Sequence, residues 1–499
     1  MVAVDGDPDA VGFEAADVCV TVDFTDVDRV IAAGREHDVD GVLAVSSDRA
    51  VLPAAEVAHA LGLPGIGADV ARAMTDKTLM RARLEAAGVP QPRHVVLTRE
   101  SDVSVLARTI PLPAVLKPAD SGGQRGLFMI EQPSDVERDL DLALSFSRSG
   151  QAMLEEYVDG VELNGIMVVR GGEPTLLTLS DRLRPPGLGF GVGWIHQYPS
   201  SLERSVLENV REIAFQAVRA LGLRDGIAFP QLIAAGDDVR IVEIAARIAA
   251  GQMADLVRFG TGIELFEIAI AQALGRPVLD ELVTPTSQRP IAIRFLTASP
   301  GVLPLGTVSA IHGLEDVRSS PGVLSAGLYF GPGVTITPVQ VDADRRGYVV
   351  ATAETPEAAL VRADEAARKL VVQTRSPGNA GRTRVLVPAG VALLAAAAAA
   401  VAVLALHGGI RPRLVSETVR VRGAMLRVAY AFNEPVHALL LVDGKPATMP
   451  SALRKSGALL WRGRRGNYRL AIEGTDRSGR RAVVSLSRGA TSARPPAAT

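Results

Sequence analysis

Residues 227–248, IAFPQLIAAGDDVRIVEIAARI, are the part of the sequence that says most about its architecture. Its two apolar runs are joined at Gly236-Asp-Asp238, a pattern that predicts two antiparallel strands with a tight turn. Side chains alternate across a strand, so one face of the second strand should carry Val239, Ile241, Glu243, Ala245 and Arg247. Gln231 on the first strand would then lie beside Glu243. Burying an acid among apolar residues is costly without a compensating cation, which makes Glu243 the most informative residue of the sequence.

Upstream of this hairpin, two motifs place lysines beside turn residues. Met74-Thr-Asp-Lys-Thr-Leu-Met80, which contains Lys77, leads into a helix, and the apolar run Ala114–Leu116 predicts a strand that ends in Lys117. The loop that follows contains three glycines, Gly122, Gly123 and Gly126. Backbone N–H groups of such a loop can close onto phosphate oxygens while the lysine supplies a positive charge. Alone, this pattern also fits an ordinary solvated hairpin.

A third motif, Met153–Leu163, combines apolar residues with several acids. A buried strand there is expected to end in Glu155 and Glu156, to turn at Asp159-Gly160, and to continue as a strand that carries Glu162. The lysines, the glycine loop, these acids and the Gln231–Glu243 pair follow one another along the chain. That order is more specific than any one of the motifs.

The order of motifs resembles the ATP-grasp superfamily of ATP-dependent carboxylate ligases, from roughly Val2 to Gln373. The segment Ile291–Gln373 is similar to the C-terminal part of the amino-acid-ligase-like branch of this superfamily. The resemblance implies an α/β protein, with an α+β ATP-grasp body behind an N-terminal parallel-sheet domain. It also implies an enzyme, a carboxylate–amine ligase that forms a C–N bond through an acyl-phosphate and releases ADP and phosphate.

Roles for individual residues follow from the resemblance, with ATP and Mg²⁺ (or Mn²⁺) as cofactors. The residues that would contact the nucleotide phosphates are Lys77, Lys117, Gly122, Gly123 and Gly126. Glu155 would meet the adenine amino group, and the backbone of Glu156 and Val158 would complete the recognition of adenine. Glu162 would bind the ribose hydroxyls. Glu243 and Gln231 would hold the metal. Arg247, together with Lys117, would be catalytic by stabilising the phosphoryl and acyl-phosphate charge.

Two positions depart from the pattern of the superfamily. Ala245 stands where many members have a metal-binding Asn, and Gln231 stands where a second Glu is common. Mg²⁺ needs few protein ligands because it keeps waters and phosphate oxygens, so activity remains the leading interpretation. The alternative is a catalytically impaired nucleotide-binding module with an envelope-facing interaction domain. A third interpretation makes the C-terminal domain the functional end and the body its anchor.

The segment Ser180–Pro199 is rich in glycine and irregular in pattern. In a cleft, such a segment is typical of a lid or substrate loop. Arg182 and Arg184 could then bind a carboxylate substrate, with Trp194 and His196 shaping the pocket. An ordinary surface loop with solvated arginines is an equally weighted alternative.

The N-terminal residues alternate between strand and helix patterns. Strands are predicted at residues 2–4, 18–22 and 41–45, and helices at residues 27–37 and 54–61, which together favour a parallel sheet. Because a sheet of this kind usually has an earlier strand and helix, we expect the N-terminal domain to be truncated.

Residues 385–406, VLVPAGVALLAAAAAAVAVLAL, contain no charge, amide or hydroxyl. A helix of that length rises about 33 Å, enough to cross a hydrocarbon core of about 30 Å. We therefore expect one transmembrane helix, with a buried Ala-rich helix of a soluble core as the weaker interpretation. Preceding basic residues and the need for ATP favour a single-pass membrane protein whose ATP-grasp body is cytoplasmic and whose C-terminal domain is extracytoplasmic.

Six short apolar runs beyond this segment predict a small Ig-like β-sandwich. Residues 410–499 carry 17 Lys and Arg against 5 Asp and Glu, although the whole chain has a net charge of −2. Such a domain suits anionic lipid or envelope polymers. No nucleic-acid partner is expected, because the basic residues are not interleaved with aromatic residues that stack on bases.

Length and composition bound the remaining possibilities. The 499 residues suffice for several domains, and 47% hydrophobic residues exclude wholesale disorder. A single cysteine, Cys19, excludes a disulfide framework.

The expected partners are small carboxylate and amine substrates, foremost amino acids, and a second copy in a homodimer. The predicted boundaries are an N-terminal domain 1–74, an ATP-grasp domain 75–290, a ligase subdomain 291–375, a linker 376–384, the membrane helix 385–406, a β-sandwich 410–488 and a disordered tail 489–499.

Overall fold

A computed structural model describes residues 1–103, 109–184, 192–299 and 301–375, and then 414–422, 425–442, 445–446, 454–462, 470–475 and 481–485. The chain divides into two compact units, Met1–Pro377 and Gly378–Thr499. The predicted linker, membrane helix and tail lie outside the described residues. Among the residues that are described, no helix combines the length and the apolar character needed to cross a bilayer.

The N-terminal segment contains a two-stranded parallel sheet. Strands β1 (Val2–Asp5) and β2 (Val18–Thr21) pair in parallel, with 3-10 helices at Val11–Ala15 and, further on, at Asp48–Ala50. The helices are α1 (Val27–Glu36), α2 (Val51–Leu61) and α3 (Ala68–Ala73). The side chain of Asp26 accepts a hydrogen bond from the Arg29 N–H and so caps α1.

The strand predicted at residues 41–45 is not formed. Val45 makes one parallel bridge to Ile248, and the Ser46 N–H donates to the Ile248 carbonyl. An apolar run becomes a strand when a neighbouring backbone offers it a ladder of hydrogen bonds. Within the described residues, the backbone next to residues 41–45 pairs with them at one position, Ile248. Leu43 and Val45 consequently remain 44% and 40% exposed.

A small antiparallel sheet follows helix α4 (Lys77–Ala86). Its strands are β3 (His94–Leu97), β4 (Ala114–Pro118), β5 (Phe128–Ile130) and β6 (Ala152–Glu156), in the order β3-β6-β4-β5. Helix α5 (Pro133–Ser145) packs on it through a core that includes Leu116, Leu140 and Leu154.

A large antiparallel sheet forms the centre of this unit, in the order β11-β10-β7-β8-β9-β12-β16-β14. Its strands are β7 (Val161–Arg170), β8 (Glu173–Leu183), β9 (Ile195–Tyr198), β10 (Gly226–Ala235), β11 (Asp238–Ala245), β12 (Ile291–Leu296), β14 (Val323–Leu328) and β16 (Gly347–Thr352). A separate sheet contains β13 (Gly306–His312), β15 (Thr335–Ile336) and β17 (Val371–Arg375).

Helices cover both faces of the large sheet. They are α6 (Arg204–Leu221), α7 (Met253–Thr261), α8 (Leu265–Ala273), α9 (Asp280–Val283), α10 (Leu314–Arg318) and α11 (Pro356–Ala367). The core under α6 includes Leu232 and Ile241, whereas the core under α7 and α8 includes Phe229 and Ala245. Around β10 and β11 the large sheet is therefore apolar on both faces, so a charged side chain there, such as Glu243, needs a compensating partner.

The C-terminal unit contains antiparallel strands. They are β18 (Leu414–Arg422), β19 (Met425–Val442), β20 (Lys445–Pro446), β21 (Arg454–Arg462), β22 (Leu470–Thr475) and β23 (Arg481–Ser485). The sequence predicts two separate strands, at residues 425–432 and 437–442, whereas the structure has the single strand β19. The backbone stays extended through Asn433-Glu-Pro435, because β19 pairs first with β18 and β21 and then, after a register irregularity, with β20 and β22.

Candidate functional site

Twelve residues predicted from the sequence line one cavity of about 150 Å³ between the small and the large sheet. They are Lys77, Lys117, Gly122, Gly123, Glu155, Glu156, Val158, Glu162, Arg182, Arg184, Gln231 and Glu243. Three predicted residues, Gly126, His196 and Arg247, are not among its lining residues. Arg247 lines a neighbouring cavity of about 580 Å³ instead. The smaller cavity is the candidate functional site.

Glu155 lies at the centre of a buried cluster of charges. Its carboxylate accepts a hydrogen bond from Lys117 Nζ at 2.6 Å and one from Arg81 Nε at 2.9 Å. Burial raises the pKa of the Glu155 carboxyl, but the charges of Arg81 and Lys117 outweigh burial and lower this pKa to about 2. Burial lowers the pKa of the Lys117 ammonium, against the opposing charge of Glu155. The adenine contact predicted for Glu155 thus involves a carboxylate that two cations already hold in place.

Arg81, which sequence reasoning missed, joins Glu155 to strand β11. Its guanidinium donates to the carbonyls of Ile241 at 3.4 Å and Val242 at 2.7 Å. These carbonyls lie at a β-bulge, where Val242 has no register partner on β10. A signal existed in the sequence, because Arg81 stands four residues after Lys77 and both therefore lie on one face of α4.

The bulge corrects the predicted face of β11. The extra residue shifts the alternation, so that Val239 and Ile241 pack under α6 while Ala245 packs on the opposite side of the sheet. Glu243 consequently shares its face with Ala245 and not with Ile241. The expectation that Gln231 and Glu243 are neighbours is confirmed, because these two residues are register partners.

Glu243 forms an ion pair with Lys77, whose Nζ lies 3.1 Å from Glu243 Oε1 and also donates to the Ser121 carbonyl. The Glu243 side chain is 27% exposed. The described part of the chain has no cluster of three or more Asp, Glu, His or Cys side chains that could hold a metal alone. Mg²⁺ is commonly held by one or two carboxylates together with substrate phosphates. Glu243, with the Gln231 amide beside it, therefore fits an ion that is bound jointly with phosphate.

The glycine loop bends sharply next to Lys77. Gly123 and Gly126 have φ angles of +71° and +73°, a left-handed conformation that side chains rarely adopt. A Cβ on Gly126 would also lie 2.8 Å from the Phe146 ring. Gly126 thus packs on the side of the loop away from the cavity lining, and its contact with phosphate stays a prediction.

Glu156 is held by two arginines at the edge of the cavity. Arg93 Nε and Arg240 Nη1 each lie 2.7 Å from its carboxylate. Burial raises the pKa of Glu156, but the Arg93 N–H and the two guanidinium groups lower it overall. The Glu156 N–H donates to the Arg93 carbonyl. Adenine recognition by the backbone of Glu156 and Val158 stays a prediction.

Glu162 forms ion pairs with both Arg182 and Arg184. The two arginines predicted to bind the carboxylate of a substrate thus hold the acid predicted to bind ribose. All three side chains line the cavity. Their roles toward a ligand stay predictions.

The segment predicted as an irregular lid has strands at both ends. Its first residues belong to β8 and its last to β9, while residues 185–191 lie outside the described part. His196 on β9 is 4% exposed, and its Nδ1 lies 3.3 Å from Asn164 Nδ2. Burial, together with the charges of Arg182 and Arg345, lowers the pKa of His196 to about 3. His196 is therefore a neutral residue of the sheet near pH 7.

Arg247 lies just beyond β11 and is bound by Asp48, with Nε–Oδ1 and Nη2–Oδ2 distances of 2.7 and 2.9 Å. A Cβ on Gly122 would lie 3.0 Å from Asp48 Oδ2, so this pair adjoins the glycine loop. Sequence reasoning missed Asp48, because 199 positions separate it from Arg247 and no motif surrounds it. Arg247, which is predicted to stabilise the charge of the phosphoryl group, thus lies near the glycine loop and forms an ion pair with Asp48.

Two protein-family models match this body. The model of the carbamoyl-phosphate synthase L chain, ATP binding domain, matches residues 76–281, a range that contains every predicted residue lining the cavity. The model of the L-amino acid ligase C-terminal domain 2 matches residues 294–375. The two ranges together span both sheets around the cavity and the strands that follow.

Two curated relatives share similar stretches. An uncharacterized protein, y4rH, of Sinorhizobium fredii is 27% identical over 340 residues, which are 66% of this chain and 68% of that protein. The formate-dependent phosphoribosylglycinamide formyltransferase of Burkholderia cenocepacia is 28% identical over 377 residues, which are 74% of this chain and 88% of that protein. These similarities support a ligase of the ATP-grasp family.

A solved structure matches the same region. The L-amino acid ligase from Bacillus licheniformis superposes with a TM-score of 0.63 at 20% identity, covering 72% of this chain and 89% of that chain. ATP-grasp ligases use ATP with Mg²⁺ or Mn²⁺, and the match to an ATP binding domain confirms this cofactor prediction. The chain has the ATP-grasp carboxylate–amine ligase fold.

Proposed function

We propose that this chain joins a small carboxylate to an amine at the expense of ATP, with ADP and phosphate as products. The observation that carries the proposal is the convergence of Lys77, Lys117 and Glu243 at one cavity between two sheets. Buried ammonium groups suit phosphate oxygens, and a partly exposed carboxylate beside them suits a divalent cation.

The reaction has two steps. In the first, an oxygen of the acid attacks the γ-phosphorus, the bond to the ADP oxygen breaks, and an acyl-phosphate forms. In the second, the amine nitrogen attacks the acyl carbon, phosphate leaves with the electrons of the C–O bond, and a proton passes from the nitrogen to the departing phosphate. The chain's own contribution is to bind and orient these groups and to stabilise negative charge where it develops.

Named residues supply these contributions. Lys77 and Lys117 bind phosphate oxygens, and Arg247 stabilises the charge of the phosphoryl group. Glu243, with Gln231 beside it, holds Mg²⁺ or Mn²⁺, which supplies charge neutralisation at the phosphates when bound. Amino acids are the proposed substrates, which the match to an L-amino acid ligase domain supports.

The test is ADP release from Mg-ATP by the full chain across a panel of amino acids. We expect turnover with at least one acid and amine pair, and a loss of about 100-fold or more in Glu243→Ala. Glu208→Ala, which removes an exposed helix-surface acid, is the matched control and should leave the rate unchanged. No turnover above Glu243→Ala with any pair would refute the proposal.

A second candidate function is nucleotide binding without ligation. Ala245 and Gln231 favour it, because they leave one carboxylate at the position where a metal is expected. Tight ATP binding that is insensitive to Mg²⁺, without ADP formation, would support this candidate over the first.

We also propose a single-pass membrane protein, with the ATP-grasp body cytoplasmic and the C-terminal domain extracytoplasmic. The 22 apolar residues at 385–406 support it. The excess of basic residues in 410–499 supports binding of that domain to anionic lipid or an envelope polymer. In bacterial cells, a tag at the C-terminus should be cleaved by external protease while the body is protected; a chain that remains in the soluble fraction would contradict this.

A further inference from the structure

The carboxylates of the candidate cavity differ in how many cations they contact. Four glutamates line it, and three of them each form ion pairs with two cationic side chains. Glu155 contacts Arg81 and Lys117, Glu156 contacts Arg93 and Arg240, and Glu162 contacts Arg182 and Arg184. A carboxylate that already holds two cations has little remaining charge with which to attract a metal ion.

Glu243 is the exception among these four. It forms an ion pair with Lys77 at 3.1 Å, and its side chain is 27% exposed compared with 3% for that of Glu155. Its register partner on β10 is Gln231, which offers a neutral amide oxygen rather than a second carboxylate. Ala245, the next residue of β11 on the same face, offers no ligand atom at all.

The cationic side chains outnumber the acids that they bind, which are the four glutamates and, through Arg240, Asp238. The seven that bind the four glutamates are Lys77, Arg81, Arg93, Lys117, Arg182, Arg184 and Arg240. The surroundings therefore carry an excess of fixed positive charge, which suits a triphosphate. These fixed cations neutralise the negative charge of the phosphates, as an additional divalent ion would. Unlike such an ion, they need no further carboxylates to hold them in the site.

We propose that this site takes one divalent cation per bound nucleotide, held by Glu243, and that the ammonium of Lys77 takes the place of a second ion at the same carboxylate. The inference rests on the proposed binding of ATP and adds the metal stoichiometry. Two divalent ions close together need several carboxylates that are free to bind them, and among the described lining residues Glu243 is the one glutamate bound by fewer than two cationic side chains.

The test counts Mn²⁺ bound to the full chain, by electron paramagnetic resonance, with the protein in excess over a non-hydrolysable ATP analogue. We expect one Mn²⁺ per nucleotide and no signal from two spin-coupled ions. Glu243→Gln should weaken Mn²⁺ binding to the complex by about tenfold or more. Two Mn²⁺ ions bound with similar affinity would overturn the inference and leave the proposed function intact. A complete absence of nucleotide binding would instead refute the proposed function.

The complementary test is a variant designed to bind a second Mn²⁺ ion. Gln231→Glu places a second carboxylate beside Glu243, and we expect two Mn²⁺ per nucleotide in this variant. Gln373→Glu, which adds the same charge at an exposed position on β17, is the matched control and should retain one Mn²⁺. If Gln231→Glu still binds a single ion, the number of carboxylates does not set the stoichiometry and the inference fails.

Discussion

Glu155 illustrates how one residue of this site depends on its neighbours. Its carboxylate is buried between Arg81 and Lys117, so removing the acid leaves both cations in the interior without their carboxylate. Breaking a buried ion pair in this way is much more destabilising than removing an exposed pair. Glu155 thus supports the stability of the body as well as any role toward a nucleotide.

We predict that Glu155→Gln lowers the free energy of unfolding at pH 7 by about 3–5 kcal/mol. The folded-state pKa of Glu155 is lowered from its ordinary 4.5 to about 2, so its contribution is present above pH 4.5 and lost as the pH falls toward 2. Denaturant unfolding of both proteins from pH 7 to pH 3 measures this. The stability difference should shrink below pH 4.5, while Glu208→Gln should cost less than about 1 kcal/mol; a pH-independent difference would contradict the assignment.

The sequence could predict some of these residues and not others. The spacing of Gln231 and Glu243 around a tight turn brings them together by local geometry, and the structure confirms it. Asp48 and Arg81 escaped prediction because their partners lie 199 and 74 positions away along the chain. Local pattern carries no information about such contacts, which depend on how separate elements pack.

At the scale of elements, the bulge in β11 determines which side chains face the cavity. A strict two-residue period predicts Ile241 and Glu243 on one face, and the unpaired Val242 separates them. Nothing in the composition of this strand marks the bulge. Its carbonyl at Val242 is satisfied by Arg81 from α4, so a helix far away in sequence stabilises the irregular strand.

We predict that Arg81→Lys weakens nucleotide binding by about tenfold and lowers the unfolding midpoint. A lysine keeps the charge but has no planar fork with which to bind Glu155 and the bulge carbonyls together. Arg83→Lys, on the same helix, is the matched control, because Arg83 likewise binds an acid, Asp69, and a backbone carbonyl, that of Leu221; it should change affinity by less than about twofold. Calorimetric titration with an ATP analogue measures the affinities, and equal effects of the two variants would show that Arg81 has no special role.

At the scale of the molecule, every predicted residue of the candidate site lies in the unit Met1–Pro377. The order of motifs predicted the fold of this unit, because each motif belongs to one strand, one turn or the start of one helix. The prediction of a strand at residues 41–45 was wrong, because a strand needs a partner strand, which the local sequence does not specify. The membrane helix at 385–406 stays a prediction, since these residues fall outside the described part of the chain.

We predict that a fragment of residues 1–377 binds an ATP analogue with an affinity within about twofold of the full chain. The cavity and its ion pairs belong entirely to this unit. Titration calorimetry on both proteins measures the affinity, and Glu243→Gln in the fragment should weaken binding in the presence of Mg²⁺. A folded fragment that fails to bind would mean that the remaining residues contribute to the site.

The surplus of lysine and arginine around the cavity also matters before anything is bound. A polyanion in solution is attracted while still at a distance, and such attraction raises the rate of encounter. The range of this attraction shortens from about 30 Å at 0.01 M salt to about 8 Å at 0.15 M. Residues 1–409 as a whole carry 36 Lys and Arg against 50 Asp and Glu, so the positive charge is confined to the neighbourhood of the cavity. Ionic strength therefore sets the distance from which this local charge can draw in a nucleotide.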